Sequence, residues 1–117
     1  MTSIYLRRAY DEPGKTDGQR ILIDRLWPRG VSKDELELDG WMKDLAPSDD
    51  LRKWFDHDPD RWDEFQARYA RELDDRKEAV GAMRECLAKG RVTLIYGARD
   101  REHNNAVALK AYLLDDL

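Results

Sequence analysis

The sequence predicts a small α/β fold, in which about three to four mostly parallel strands form one sheet flanked by helices in two or three layers. Two apolar runs, 20–24 and 92–96, lack the alternation of polar side chains that a half-exposed strand has, which is typical of parallel strands buried on both faces. The long stretch between them has helical periodicity, and a connection of this kind allows the two strands to run parallel.

Each predicted strand has its own local signal. The run Arg20–Asp24 follows an Asp-Gly turn pair, and Val92–Tyr96 follows a glycine, and such residues commonly bound strands. A third strand is predicted at Ile4–Arg8, which is less apolar than the other two. We therefore expect Ile4–Arg8 to lie nearer an edge of the sheet.

Several start signals divide the intervening region into separate helices. Ser32 and Glu35 form a capping-box pattern, the stretch 47–50 opens a second segment, and Asp58 precedes a proline at the first helical position. Beyond that proline, apolar side chains recur at steps of three and four and predict a buried stripe made of Trp62, Phe65, Tyr69 and Leu73. Apolar residues from 106 to 113 predict a final helix.

Composition limits the classes of protein to which the chain can belong. A length of 117 residues is typical of one domain, so we expect residues 1–117 to form a single α/β domain. The net charge of -4, with both signs interspersed, argues against general binding of nucleic acid. The single cysteine, Cys86, and the lack of a signal peptide or a membrane-length apolar run predict a cytoplasmic protein with no membrane partner.

The first candidate site follows the strand that ends at Asp24. In open parallel sheets, ligands collect beyond the carboxyl ends of the strands. There Asp24 and Arg25 lead into Trp27-Pro28-Arg29, where the proline stiffens the turn. Guanidinium groups bind carboxylate or phosphate, and the indole offers a face for stacking. The alternative is that Trp27 lies in the core and that both arginines form structural ion pairs.

The second candidate site runs from the strand end at Tyr96 into the final helix. Gly97 permits a tight exit from the strand, and Asp100 is the expected N-cap of that helix, whose free N–H groups would attract an anion. Arg99 would add positive charge, and His103 could carry a proton near neutral pH, although a lone histidine more often has a structural partner. The two adjacent amides could recognise a polar ligand or tie loops together; they belong to Asn104 and Asn105.

No cofactor and no metal site is predicted. His57 and His103 lie far apart and have no cysteine partners, so they match no zinc pattern, although His103 with Asp100 could contribute to a carboxylate-rich metal site. His57 itself follows two aromatic residues that we expect in the core, and we place it at most at the rim of a site. The glycine-rich loops that hold nucleotide cofactors are missing from the sequence.

The chain resembles a known protein family at these same residues. The resemblance runs through almost the whole sequence and is most specific at Asp24-Arg25-Leu26-Trp27-Pro28-Arg29-Gly30; the other matching stretches are Asp17-Gly18-x-Arg20, Trp41-x-Lys43-x-Leu45-Ala46-Pro47-Ser48, Leu51-Arg52-x-Trp54-Phe55, Tyr69-x-x-Glu72-Leu73, Thr93-Leu94 and Asp100-x-x-His103-Asn104-x-Ala106. With these motifs the chain resembles the domain of unknown function 488 family, in its YeaO-like branch. The resemblance implies a compact bacterial or archaeal α/β protein, and it implies no particular reaction.

Two hypotheses for the function remain open. In the first, the protein is an enzyme acting on a small anionic, phosphate-like or nucleotide-like substrate: the arginines at 25, 29 and 99 hold the anion, the rings at 27 or 96 stack, and a proton is moved by Asp24, Asp100 or His103. In the second, the same pocket binds an anionic ligand or a partner chain without catalysis. The two hypotheses differ in whether Asp24 and Asp100 are free to exchange a proton. The sequence does not indicate the oligomeric state.

Overall fold

The computed structural model describes residues 3–115 and has a four-stranded sheet in which all strands are parallel. The strands are β1 (Ile4–Arg8), β2 (Gln19–Leu22), β3 (Gly40–Trp41) and β4 (Val92–Tyr96), and they lie in the order β1-β4-β2-β3. The predicted α/β class with three to four mostly parallel strands is therefore confirmed.

Five α-helices flank this sheet. Short 3-10 turns at 43–45 and 59–61 precede the second and third helices, and the helices themselves are α1 (Lys33–Leu36), α2 (Asp49–Phe55), α3 (Trp62–Asp74), α4 (Lys77–Lys89) and α5 (Asn105–Asp115). Among the helices within residues 3–115, none combines the length and the apolar character that crossing a bilayer requires.

The strand positions follow the sequence signals closely. The predicted limits of β1 and β4 agree with the structure at both ends, and β1 lies at an edge, as its more polar composition indicates. All five residues of β4 are buried, because β4 lies between two neighbours and is covered on both faces. The strand β3 was not predicted, because two residues are too short to produce a periodic pattern.

The predicted helix caps are also present. Ser32 Oγ accepts the N–H of Glu35 at 3.1 Å, and a Glu35 carboxylate oxygen accepts the N–H of Ser32 at 3.0 Å, which completes the capping box of α1. Ser48 caps α2, and Asp58 caps the 3-10 turn that leads into α3. These caps begin each helix where its apolar face can pack on the sheet.

The larger core lies between one face of the sheet and helices α2 to α5. The predicted stripe on α3 is part of it: Phe65, Tyr69 and Leu73 are buried, while Trp62 is partly buried. The hydroxyl of Tyr69 donates to the carbonyl oxygen of Leu45. This contact satisfies the hydroxyl group of Tyr69, so that the Tyr69 side chain can be buried completely.

A smaller core covers the opposite face of the sheet. Leu22 of β2 and Ile95 of β4 project to this side and pack against Leu36 of α1. The indole rings of Trp27 and Trp41 meet edge to face, with centroids 5.4 Å apart, beside this cluster. One short helix and a tryptophan pair therefore close the second face.

A buried ion pair lies on the same face as this smaller core. The Arg20 guanidinium donates to the Asp17 carboxylate at 2.6 Å and to the carbonyl oxygen of Leu36 at 2.8 Å. Arg7 Nε donates to the other Asp17 oxygen at 2.8 Å. Thr93 of β4 donates its hydroxyl to the Asp17 carbonyl at 2.7 Å. Through Asp17, the loop before β2 is thus connected to the three strands β1, β2 and β4.

Replacing Asp17 is expected to reveal how much this pair stabilises the fold. Burial alone raises the pKa of Asp17, but hydrogen bonds from the Gly14 N–H and from Arg7 and Arg20 outweigh it and hold the pKa below its usual value. An ionised carboxylate of this kind stabilises the fold at pH values above its ordinary pKa. The contribution is lost as the pH falls through the lowered pKa of the folded state. Asp17→Asn should therefore lower the free energy of unfolding by about 3 kcal/mol at pH 7 and by less at pH 3.

Chemical denaturation of both proteins at pH 7 and pH 3 measures this difference. Asp50→Asn, at an exposed position, is the control and should change stability by no more than about 0.5 kcal/mol. An Asp17→Asn effect of equal size at the two pH values would contradict the ionic role of the carboxylate.

Candidate functional site

A cavity of about 640 Å³ opens beyond the carboxyl ends of β2 and β4. The two segments predicted from the sequence meet there, as the topology of a parallel sheet requires. The first contributes residues 24–26 and the second residues 97–100 and 103–105. Helices α2 and α3, the loop before α2 and the turn after α2 supply the remaining lining, which is Ala46, Pro47, Arg52, Phe55, His57 and Phe65.

Asp24 joins the elements that form this cavity. One carboxylate oxygen accepts the backbone N–H of Gly97 at 2.8 Å, and the other accepts the side-chain amide of Asn105 at 2.9 Å. The same Asn105 amide donates to the Ile23 carbonyl at 3.3 Å. The end of β2 is therefore connected to the exit of β4 and to the first residue of α5.

Glycine at position 97 makes this approach possible. A Cβ atom there would lie 3.1 Å from the Asp24 carboxylate oxygen, closer than an ordinary van der Waals contact. Burial raises the pKa of Asp24, while the hydrogen bonds from Asn105 and Gly97 and the charge of Arg52 act in the opposite direction. The balance is a carboxyl group that is easier to protonate than an ordinary aspartate.

The turn before α5 is organised by Asp100. One of its carboxylate oxygens accepts the backbone N–H groups of Glu102 at 2.8 Å and His103 at 3.0 Å, and the other lies 2.9 Å from His103 Nδ1. The Glu102 N–H and then the His103 ring hold the pKa of Asp100 below its usual value. The His103 ring also meets Trp62 edge to face, with centroids 5.3 Å apart.

The sequence predicted Asp100 as the N-cap of α5, and this prediction is wrong. The N-cap is Asn104. Asn104 Oδ1 accepts the N–H of Val107 at 2.9 Å, and its amide donates to the Asp100 carbonyl at 2.9 Å. Asp100 caps the turn that precedes the helix, and the helix begins at Asn105, five residues after Asp100. Of the two adjacent amides, the buried Asn104 shapes the turn and Asn105 holds Asp24.

Three arginines lie around the cavity. Arg25 and Arg52 share the carboxylate of Asp49, at 3.6 Å and 3.3 Å between the nearest nitrogen and oxygen atoms. Arg99 is exposed and, within residues 3–115, forms no hydrogen bond or ion pair with another side chain. Its guanidinium is the one that a ligand could bind without displacing a partner.

Three of the predicted site residues do not line the cavity. Trp27 turns to the opposite face of the sheet, where its indole N–H donates to the Val31 carbonyl at 2.6 Å. Tyr96 is buried in the main core, and Arg29 is exposed beyond the turn. Leu26 is the last residue of the first segment that lines the cavity, so Trp27 and Arg29, later in the Arg-Leu-Trp-Pro-Arg-Gly run, lie outside it.

The cavity also contains residues that the site hypothesis did not include, among them Arg52, Phe55 and Pro47. They lie on or before α2, far along the chain from either predicted segment. The loop that carries Pro47 is held by Glu72, whose carboxylate accepts the N–H and the hydroxyl of Ser48 at 2.9 and 2.5 Å. The family motif around positions 45–55 and at position 72 was the only signal in the sequence that could have indicated these positions.

Within the part of the chain that the structure describes, no three side chains of His, Cys, Asp or Glu come close enough together to hold a metal ion. The polar groups of the cavity are instead two carboxylates, two histidines, two amides and three guanidinium groups. Such a set can bind an anion at its cationic part and a hydrogen-bond donor at its carboxylates.

Comparisons with known proteins agree with the family resemblance. The uncharacterized protein Rv3073c of Mycobacterium tuberculosis is 38% identical over 112 residues, which cover 96% of this chain and 94% of that protein. The uncharacterized protein YeaO of Escherichia coli is 37% identical over 111 residues, covering 95% and 96%. No solved structure gives a significant match. A family profile described as the inactive DUF488-N3 subclade matches residues 3–117, and the chain therefore belongs to this DUF488-N3i family.

Proposed function

We propose that this chain is a cytoplasmic module that binds a small anionic, phosphate-like ligand in the cavity at the sheet edge. The observation that carries the proposal is the exposed Arg99, which has no ion-pair partner among residues 3–115 and lies at a cavity that Arg25 and Arg52 also line. Guanidinium groups bind phosphate and carboxylate through paired, charge-assisted hydrogen bonds.

The other two arginines are also available to a ligand. Their ion pairs with Asp49 are exposed and have separations of 3.3 Å or more. Exposed pairs of this kind contribute only about 0–1 kcal/mol, so exchanging Asp49 for a ligand anion costs little. A ligand with several anionic oxygens could then engage more than one guanidinium at once.

Binding without catalysis is favoured because the carboxylates of Asp24 and Asp100 are both engaged in hydrogen bonds within the fold. Asp24 has a structural donor on each oxygen, and Asp100 is committed to two backbone N–H groups and the His103 ring. The lowered pKa of Asp100 makes it a weak base. The description of the family as an inactive subclade supports the same conclusion.

An enzyme acting on a small anion is the second candidate, and the pairing of His103 with Asp100 favours it. Contact of Nδ1 with a carboxylate at 2.9 Å orients the imidazole and leaves Nε2 as the nitrogen for proton exchange. The raised pKa of Asp24 would suit proton transfer better than that of an ordinary aspartate. In this candidate Asp24, Asp100 and His103 have the catalytic roles.

Removing the unpaired cation is expected to weaken binding of inorganic phosphate. Arg99→Ala should raise the Kd for phosphate about tenfold, because one charge-assisted contact is lost. Titration calorimetry or amide chemical shifts measure the change. The matched control is Arg29→Ala, since Arg29 is also exposed but does not line the cavity. Equal effects of the two substitutions would count against this location for the anion.

Replacing Asp24, whose carboxylate connects the end of β2 to Gly97 and Asn105, is expected to destabilise the fold. In Asp24→Asn, one side-chain oxygen is replaced by an NH₂ group that faces a donor, either the Gly97 N–H or the Asn105 amide. An unsatisfied pair of donors should lower the free energy of unfolding by about 1–3 kcal/mol at pH 7.

Urea denaturation measures the Asp24→Asn effect, with Asp49→Asn as the control at a more exposed carboxylate. The control should change stability by less than about 1 kcal/mol. Full stability of Asp24→Asn would mean that the carboxylate is not committed to the fold, and it would favour the enzymatic candidate.

A further inference from the structure

We infer that the ligand of this cavity is an amphipathic anion, whose anionic group lies at Arg25, Arg52 and Arg99 and whose uncharged, ring-bearing body covers Leu26 and extends along the apolar wall toward Asp24. This inference rests on the proposed function and adds the chemical class of the ligand and the direction in which it enters.

The first argument is the arrangement of charge. The cavity contains the carboxylates of Asp24 and Asp100 as well as its three arginines. The side chains of Arg25 and Arg52 are about half exposed, whereas Asp24 is partly buried and held at the strand ends. An anion beside Asp24 would be repelled in a region of weak solvent screening. The negative group therefore belongs outside and an uncharged group inside.

The second argument is the hydrogen-bonding capacity of Asp24. A carboxylate has room for about four donors, and each of the two Asp24 oxygens accepts one of the hydrogen bonds from Gly97 and Asn105. A ligand with an O–H or N–H group at its inner end could use a remaining lone pair. A ligand with a second carboxylate at that end could not.

The third argument is the apolar lining. Two aromatic and three small apolar side chains form part of the wall, and they are Phe55, Phe65, Ala46, Pro47 and Ala98. Leu26 continues this wall and is 62% exposed. A ring placed against Leu26 would remove apolar surface of both partners from water.

The exposure of Leu26 differs from that of the other large apolar side chains on the surface. Among the described residues, Tyr5 and Tyr10 are also about half exposed, but each has an arginine over its ring, Arg91 at 4.6 Å and Arg8 at 4.9 Å from the centroid. Leu26 has no arginine over it within the described part of the chain, and it lies beside a cavity. A bound ring would supply that cover.

Three probes test the inference on the full chain by titration calorimetry: inorganic phosphate, phenyl phosphate and 4-carboxyphenyl phosphate. Phenyl phosphate should bind about tenfold more tightly than phosphate, because its ring is removed from water. The 4-carboxyphenyl compound should lose that gain, because whichever end enters the cavity brings an anion toward Asp24.

A substitution then locates the ring. Leu26→Ala should remove most of the gain of phenyl phosphate over phosphate, read as the ratio of the two Kd values within the same variant. An exposed side chain of this kind can be replaced without unfolding the protein. Tyr5→Ala is the matched control, since Tyr5 is exposed but does not line the cavity, and it should leave both Kd values unchanged.

The outcomes separate the two proposals. If phosphate binds and phenyl phosphate binds no more tightly, or if Leu26→Ala leaves the gain intact, the inference about the ligand is wrong and the proposed function stands. Equal affinity of phenyl phosphate and its 4-carboxy derivative also overturns the inference. If neither phosphate nor phenyl phosphate binds, the proposed function itself is wrong.

Discussion

The contact on which the cavity depends is the one between the Asp24 carboxylate and its two donors. Gly97 follows β4, Asn105 begins α5, and Asp24 lies two residues beyond β2. Three elements that are distant in the chain are thus fixed relative to one another by a single side chain. Because both donors are neutral, they only partly offset the cost of burying the charge, and the pKa of Asp24 remains raised.

The two faces of the sheet solve the problem of buried polar groups in different ways. On the face of α1, Arg20 and Asp17 form a buried ion pair whose remaining hydrogen-bonding groups reach backbone carbonyls and Arg7. At the sheet edge, no arginine among residues 3–115 forms an ion pair with Asp24. The negative charge of Asp24 can therefore act on a ligand in the cavity, whereas the charge of Asp17 is neutralised by arginines within the fold.

The sequence predicted most of the fold and about half of the site. The apolar runs and the caps at Ser32, Ser48 and Asp58 are local signals, and each is present in the structure. The direction of the chain after a turn is not a local signal. For this reason Trp27, whose indole ring could stack on a ligand, packs on the opposite face of the sheet. Arg52 lines the cavity although only the family motif around it, and no local structural pattern, pointed to its position.

The amino-acid pattern by itself determined that two buried parallel strands end in polar, arginine-containing segments, because burial on both faces requires an uninterrupted apolar run and a chain reversal requires turn residues. Only the tertiary structure decided which side chains share a cavity. That depends on where the chain leaves the cavity wall, which is after Leu26, on the close approach that Gly97 permits, and on the packing that brings α2 and α3 beside the strand ends. Such relations join residues distant in sequence, and no periodicity within one segment contains them.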